Sequence, residues 1–194
     1  MQDVASQNSL AYIRQYKQKC AQVLENIPDE SVARLIALLE KARENDRQIF
    51  LCGNGGSAAT ASHFATDLGK GASLGRPKRF KVLSLTDNVP WITAMANDTD
   101  YSRIFVEQLR NYAQPGDVLL AFSGSGNSPN VIAAVEWANQ NKLYTVGITG
   151  RPGGKLGQLA QLPVFVETSH MGFIEDGHFI IQHIIGYYFM ETAD

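Results

Sequence analysis

The feature that most constrains this chain is an alternation. Five short apolar runs, QIFLCG, FKVLSL, DVLLAFS, YTVGITG and LPVFVET, are separated by longer stretches with helical spacing. Each run is too short for a helix and nearly continuous in its apolar character, as a strand buried on both faces requires. Strands alternating with helices imply a parallel sheet covered on both sides, with right-handed connections. The expected fold is α/β: a three-layer α-β-α sandwich around a five-stranded parallel sheet, flavodoxin-like, with an N-terminal helical pair and a long C-terminal helix.

The helical stretches have their own signals. Residues 5–26 carry Leu10, Ile13, Cys20, Val23 and Leu24 at helical spacing. Pro28 and Asp29 open a second helix with Val32, Leu35, Ile36, Leu38 and Leu39 on one face. SAATASHFATDL, VPWITAMAND, DYSRIFVEQLRNYA, SPNVIAAVEWANQNK and GKLGQLA read as helices, with Pro129 in a favoured first turn. FIEDGHFIIQHIIGYYFMETA reads as a strongly apolar last helix that must be buried. The loop at 69–79 is the most mobile-looking segment and the kind that borders sites. Nothing divides the 194 residues, so 1–194 is expected to be one domain. The helices of 1–46 and the last helix are expected to contribute to oligomerisation. A formal net charge of −2 gives no electrostatic case for nucleic acid or an anionic membrane. No segment has the run of about 20 apolar residues that a membrane helix needs, and no signal peptide is visible. A cytoplasmic location is expected. Cys20 and Cys52 read as free thiols, and Trp91 and Trp137 as packing residues.

Two of the strand ends share a plan. After QIFLC come Gly53, Asn54, Gly55, Gly56 and Ser57; after DVLLAF come Ser123, Gly124, Ser125, Gly126, Asn127 and Ser128. Each loop hands a parallel strand to a helix, where ligands of open α/β sheets bind. A helix N-terminus offers free N–H groups and the positive end of a dipole, which suit an anion. Neither loop has the Gly-Lys-Ser/Thr of a nucleotide P-loop or the G-x-G-x-x-G of dinucleotide enzymes. A small phosphorylated metabolite fits better.

CGNGGSAATASHFATDL, AMANDTDYSRIF and GDVLLAFSGSGNSPNVIAAV resemble the sugar-isomerase (SIS) domain family, and within it the phosphoheptose isomerases. ITGRPGGKLGQLAQLPVFV and IEDGHFIIQH continue the resemblance. It implies phosphate contacts from Ser123, Gly124, Ser125 and Ser128. It assigns Asn54, Gly55, Gly56, Ser57, Asn97 and Asp98 to the sugar. It further implies an aldose–ketose isomerisation through an enediol(ate), a homotetramer, and a zinc ion between two helices. In this chain the metal residues would be His63, Asp67, Glu175 and His183. His183 would be the general acid and Asp67 the base, with Glu175 as an alternative base and substrate contact.

Four positions depart from the family pattern. Asp67 replaces a glutamate, Glu175 a glutamine, Gly124 a threonine and Gly71 an arginine, with Lys70 adjacent. His178 and Asp176 are alternative ligands, and His170 is a possible rim residue. The leading expectation is an isomerase converting sedoheptulose 7-phosphate to D-glycero-D-manno-heptose 7-phosphate. The rivals are an isomerase of another phosphosugar, and a non-catalytic SIS protein that binds a phosphosugar or, like a replication-initiator-associated relative, a protein.

Overall fold

The computed structural model describes residues 2–192, with side chains from residue 7 onward. The helices are α1 (Gln2–Glu25), α2 (Asp29–Glu44), α3 (Gly56–Thr66), α4 (Val89–Asp98), α5 (Val106–Tyr112), α6 (Pro129–Gln140), α7 (Gly154–Leu159) and α8 (Met171–Glu191). The strands are β1 (Gln48–Cys52), β2 (Lys81–Ser84), β3 (Val118–Ser123), β4 (Tyr144–Gly150) and β5 (Leu162–Val166). Ala193, the last residue of the helix expected from sequence, lies outside the described residues.

The strands form one parallel sheet in the order β2-β1-β3-β4-β5. This is the flavodoxin-like order. Period-two alternation splits each central strand between two cores. Ile49 and Leu51 of β1, and Leu120 and Phe122 of β3, face a layer built from α2, α3 and α8. Phe50, Cys52, Leu119 and Ala121 face a layer built from α5, α6 and α7. Every residue of β3 is buried, which explains its unbroken apolar run.

Three segments differ from the sequence expectation. The helix expected to end at Leu68 leaves the α-helical path at Asp67 and closes with a π turn over Asp67–Gly71. Helical φ/ψ continues, but glycines at 69 and 71 let it pass close to its neighbours: a Cβ on Gly71 would meet Met190 Cε at 2.2 Å. The helix expected over DYSRIFVEQLRNYA is broken into a 3-10 turn, Tyr101–Arg103, and α5. The Asp100 side chain accepts from Ser102 N and starts the turn instead of a longer helix. The loop 69–79 is tied down: Ser73 Oγ donates to Leu68 O at 2.7 Å and accepts from Phe80 N at 2.9 Å. Arg76 donates to the carbonyls of Phe189 and Met190 near the end of α8. Finally, α8 buries one face and exposes Ile184, Tyr187 and Tyr188 on the other. No described helix is long and apolar enough to cross a membrane.

Candidate active site

The sheet order places a topological switch point between β1 and β3. The chain leaves β1 through α3 on one face and leaves β3 through α6 on the other. Their loops part there and open the crevice in which α/β proteins of this order bind ligands. Both glycine–serine loops therefore meet at one place.

The loop after β3 presents hydroxyls. Ser123 Oγ lies 3.2 Å from Ser128 Oγ and accepts from Gly126 N at 3.2 Å. Ser125 is exposed, and its Oγ accepts from Asn127 N at 3.2 Å. Ser128 is the N-cap of α6 and makes no side-chain cap hydrogen bond; Pro129 has no N–H and Val131 N donates to Asn130 Oδ1 at 2.9 Å, so the positive end of a 12-residue helix and the Asn130 N–H face the loop. Gly126 has φ +67°, and a Cβ on it would stand 2.0 Å from the backbone oxygen of Gly153.

The loop after β1 is tied by side chains instead. Asn54 and Asn130 exchange two hydrogen bonds, at 2.9 and 2.8 Å, and Tyr101 Oη donates to Asn54 Oδ1 at 3.0 Å. Asn130 is fully buried in the first turn of α6, so this pair locks one loop to the other. Gly56 opens α3 directly against Glu175: a Cβ there would lie 2.6 Å from Glu175 Oε1. A carboxylate thus already faces the positive end of α3, a favourable placement. Met171 does the equivalent at the other loop, since a Cβ on Gly124 would meet its Sδ at 2.4 Å. The first turns of α8 wall both loops.

Further along the same helices, His63, Asp67 and His183 converge. His63 and Asp67 are one helical turn apart on α3 and its π turn, so they share a face. His63 Nε2 lies 3.3 Å from Asp67 Oδ2 and 3.3 Å from His183 Nε2. One ligand atom from each of the three lies within 4.8 Å of the others. Phe179 packs edge-on against both imidazoles, at 4.9 and 4.7 Å between ring centres, and orients them. The His63 side chain stays 42% exposed and that of Asp67 15%, so the cluster is open on one side. Asp67 Oδ2 is buried without a hydrogen-bond partner. An unpartnered buried oxygen costs about 1–3 kcal/mol, and here it faces two imidazole nitrogens. Two imidazoles and a carboxylate with converging lone pairs are a fitting donor set for a divalent cation of the zinc type.

Glu175 does not join this cluster within one chain. It precedes His183 by eight residues, about 12 Å along α8 at 1.5 Å per residue, and sits at the other end of α3. Of the four residues expected to hold a metal, His63, Asp67 and His183 converge, while Glu175 stands apart in the crevice. Nor do the alternative ligands join it. Asp176 accepts from Tyr16 Oη of α1 at 2.8 Å. His178 is buried beside Phe122 of β3, at 5.8 Å between rings. His170 caps α8, accepting from Phe173 N at 3.4 Å. Asn97 and Asp98 are exposed at the end of α4 and hydrogen-bonded to each other at 2.9 Å; it is Tyr101, three residues on, that reaches the crevice. Ser57 is buried in the first turn of α3, and Gly55 turns the loop with φ +54°. Trp91 and Trp137 are half-buried packing residues. Both thiols are free, and burial pushes that of Cys52 up to about 12, so it is no nucleophile at neutral pH.

Sequence reasoning missed Asn130, Tyr101 and Met171. Asn130 had a signal, an amide in a first helical turn beside a serine-rich loop. The other two had none, because only the fold brings them to the crevice.

Residues 11–150 match the SIS domain family. The phosphoheptose isomerase of Azoarcus sp. (strain BH72) is 36% identical over 157 residues, 79% of each chain. That of Helicobacter pylori (strain ATCC 700392 / 26695) is 35% identical over 170 residues, 88% of each. The solved structure of phosphoheptose isomerase from Neisseria gonorrhoeae superposes with a TM-score of 0.85 at 30% identity, over 94% of this chain and 97% of that one. With the fold, the two loops and the His-carboxylate cluster in place, the chain belongs to the SIS domain family, in its phosphoheptose isomerase group.

Proposed function

We propose that the protein interconverts sedoheptulose 7-phosphate and D-glycero-D-manno-heptose 7-phosphate by proton transfer through an enediol(ate). The observation that carries this reading is the convergence of His63, Asp67 and His183 on the helices that wall an anion-ready crevice. The serine loop, Ser123 to Ser128, holds the phosphate by hydroxyl and backbone donors. The loop of Asn54 to Ser57, with Glu175 facing it, takes the sugar hydroxyls. Asn97 and Asp98 contribute from the rim.

An acid and a base must act on two neighbouring carbons, so they must stand together. Asp67 and His183 do: His63 is the common neighbour of both, at 3.3 Å to each. Asp67 is therefore assigned as the base that removes the proton next to the carbonyl, and His183 as the acid serving the oxygens. Glu175, remote from His183, binds hydroxyls. His63, Asp67 and His183 would hold one zinc ion, which when bound supplies stabilisation of the developing oxyanion.

The outer surface supports assembly into an oligomer. Leu10, Tyr12 and Ile13 of α1 and Ile184, Tyr187 and Tyr188 of α8 are exposed, and the His63 side chain is partly open to solvent. A homotetramer that covers these faces would close the site, with the N-terminal helices within 1–46 in its interface.

The test is a coupled assay with sedoheptulose 7-phosphate on protein of known metal content, with and without added zinc, beside His183→Ala. Zinc-dependent turnover lost in the variant is the expected result. Tight binding of the sugar phosphate without turnover would make the protein a sensor or an isomerase of another phosphosugar. Absence of both would remove the enzyme reading.

A further inference from the structure

The inner face of α8 carries a polar stripe that the proposed reaction does not use. His178 and Gln182 are one turn apart and fully buried. Both ring nitrogens of His178 and both amide atoms of Gln182 lack a hydrogen-bond partner. One turn further on is Gly186, whose Cα faces the candidate base: a Cβ there would meet Asp67 Cβ at 3.2 Å and Oδ2 at 3.5 Å. Asp67 Oδ2 is itself buried and makes no hydrogen bond, with His63 Nε2 at 3.3 Å as an ion-pair contact only. At the other end, His178 packs on Phe122, the residue before Ser123. The stripe therefore runs from beneath the phosphate loop to the reacting carboxylate. Its neighbours on α8, Ile174, Ile181 and Ile185, are buried and apolar and offer it no partner.

Native proteins rarely leave buried polar groups unsatisfied. Where protein partners are lacking, a buried water with two to four polar neighbours takes their place. The geometry points to ordered water held by His178 and Gln182 along α8 and hydrogen-bonded to Asp67, which makes the pair positioning residues for that carboxylate. The donor inventory closes: the amide offers donors and an acceptor, a neutral imidazole one of each, and the carboxylate accepts. Burial pushes the His178 imidazole down to about 4, so the ring is neutral near pH 7. A carboxylate that also faces a cation gains most from such outer support, because the support fixes which oxygen points where.

This inference rests on the role proposed for Asp67, so its test includes readouts that do not need turnover. Gln182→Met keeps length and apolar bulk while removing both polar atoms. Zinc affinity, measured without sugar by competition with a chromophoric chelator, should weaken by about 10- to 100-fold in Gln182→Met and in His178→Leu. The melting temperature of Gln182→Met should change little, since an apolar side chain of like shape removes the buried amide together with the water it holds. The double variant should lose little more than the worse single one, because both act through the same water. In turnover, kcat should fall while KM for the sugar phosphate holds. Unchanged zinc affinity and kcat in Gln182→Met would overturn the inference. If the unaltered chain binds no zinc, the metal reading fails on its own, and hydration is read from a high-resolution crystal structure. Water bridging the pair to Asp67 upholds the inference; a dry stripe overturns it.

Discussion

The unit β1–loop–α3 and the unit β3–loop–α6 look alike in sequence and meet at the same crevice, yet they are built for different tasks. In the second, serine hydroxyls and the positive end of a helix face the space an anion would take. In the first, the loop is locked by Asn54, Asn130 and Tyr101, and the helix end already faces the Glu175 carboxylate. An anion brought to both would be welcomed by one and repelled by the other. In the function proposed above, the same glycine–serine chemistry serves as a phosphate cradle in one place and a rigid platform for reactive groups in the other. The deciding residues, Met171 and Glu175, come from α8, far away in sequence.

The largest expected effect separates the two units kinetically. Asp67→Asn, on the first unit, should lower kcat about 10²- to 10⁴-fold with KM little changed. Steady-state kinetics with sedoheptulose 7-phosphate checks this, and Glu175→Gln serves as the contrast. A Glu175→Gln loss as deep as that of Asp67→Asn would move the base into the crevice.

The next effect is on folding. Alanine at Gly126 must adopt a left-handed φ and pushes its Cβ into the Gly153 carbonyl, at 2.0 Å. Strain and overpacking together should cost at least about 3 kcal/mol. At Gly55, with φ +54°, ψ −121° and open space, the same change should cost backbone strain alone, about 1–3 kcal/mol. Urea unfolding of the two variants measures the difference; equal losses would mean the loops are held equally.

The floors of the two units should also respond oppositely to pH. Cys52 ends β1, and burial raises its thiol to about 12. Its contribution is intact at neutral pH and declines only as pH rises above about 9. His178 lies beneath the end of β3, and burial lowers its imidazole from 6.5 to about 4. The unfolded chain then takes up the proton more readily, so stability is full above about pH 6.5 and falls as pH drops towards 4, by about 3 kcal/mol. Denaturant midpoints from pH 7 to 4, with His178→Leu as control, should show this slope and its loss.

The smallest effect tests the cradle. Ser125→Ala removes one exposed hydroxyl from the phosphate loop and should raise KM roughly tenfold, with kcat within a few-fold. A fall in kcat with KM unchanged would break the division of labour.

Much of this was legible in the chain. Strand β4 and helix α4 run between the residues that the pattern predicts, because apolar run length and punctuation are local signals. His63 and Asp67 were readable as neighbours from their spacing of four. The π turn at Asp67 was not, because a π turn and an α turn share composition and differ only in how the chain meets Val82, Met190 and Gly186. The separation of Glu175 from His183 follows from helix rise, but which of them meets Asp67 depends on how α3 and α8 align. They run side by side in the same direction, so Gly56 meets Glu175 and Asp67 meets Gly186.

By itself, then, the sequence determined the alternation of elements, the parallel sheet, the two glycine–serine loops and the residue types able to do acid–base and metal chemistry. These are set by periodicity, turn chemistry and backbone freedom, which act over a few residues. Tertiary structure alone decided that both loops share one crevice, that Asn130 bolts them together, and that His183 rather than Glu175 joins His63 and Asp67. It also decided that His178 and Gln182 are buried without partners. Those outcomes depend on contacts between segments more than 70 residues apart, such as Asn54 with Asn130 and His63 with His183. Only packing of the helices on the sheet fixes them.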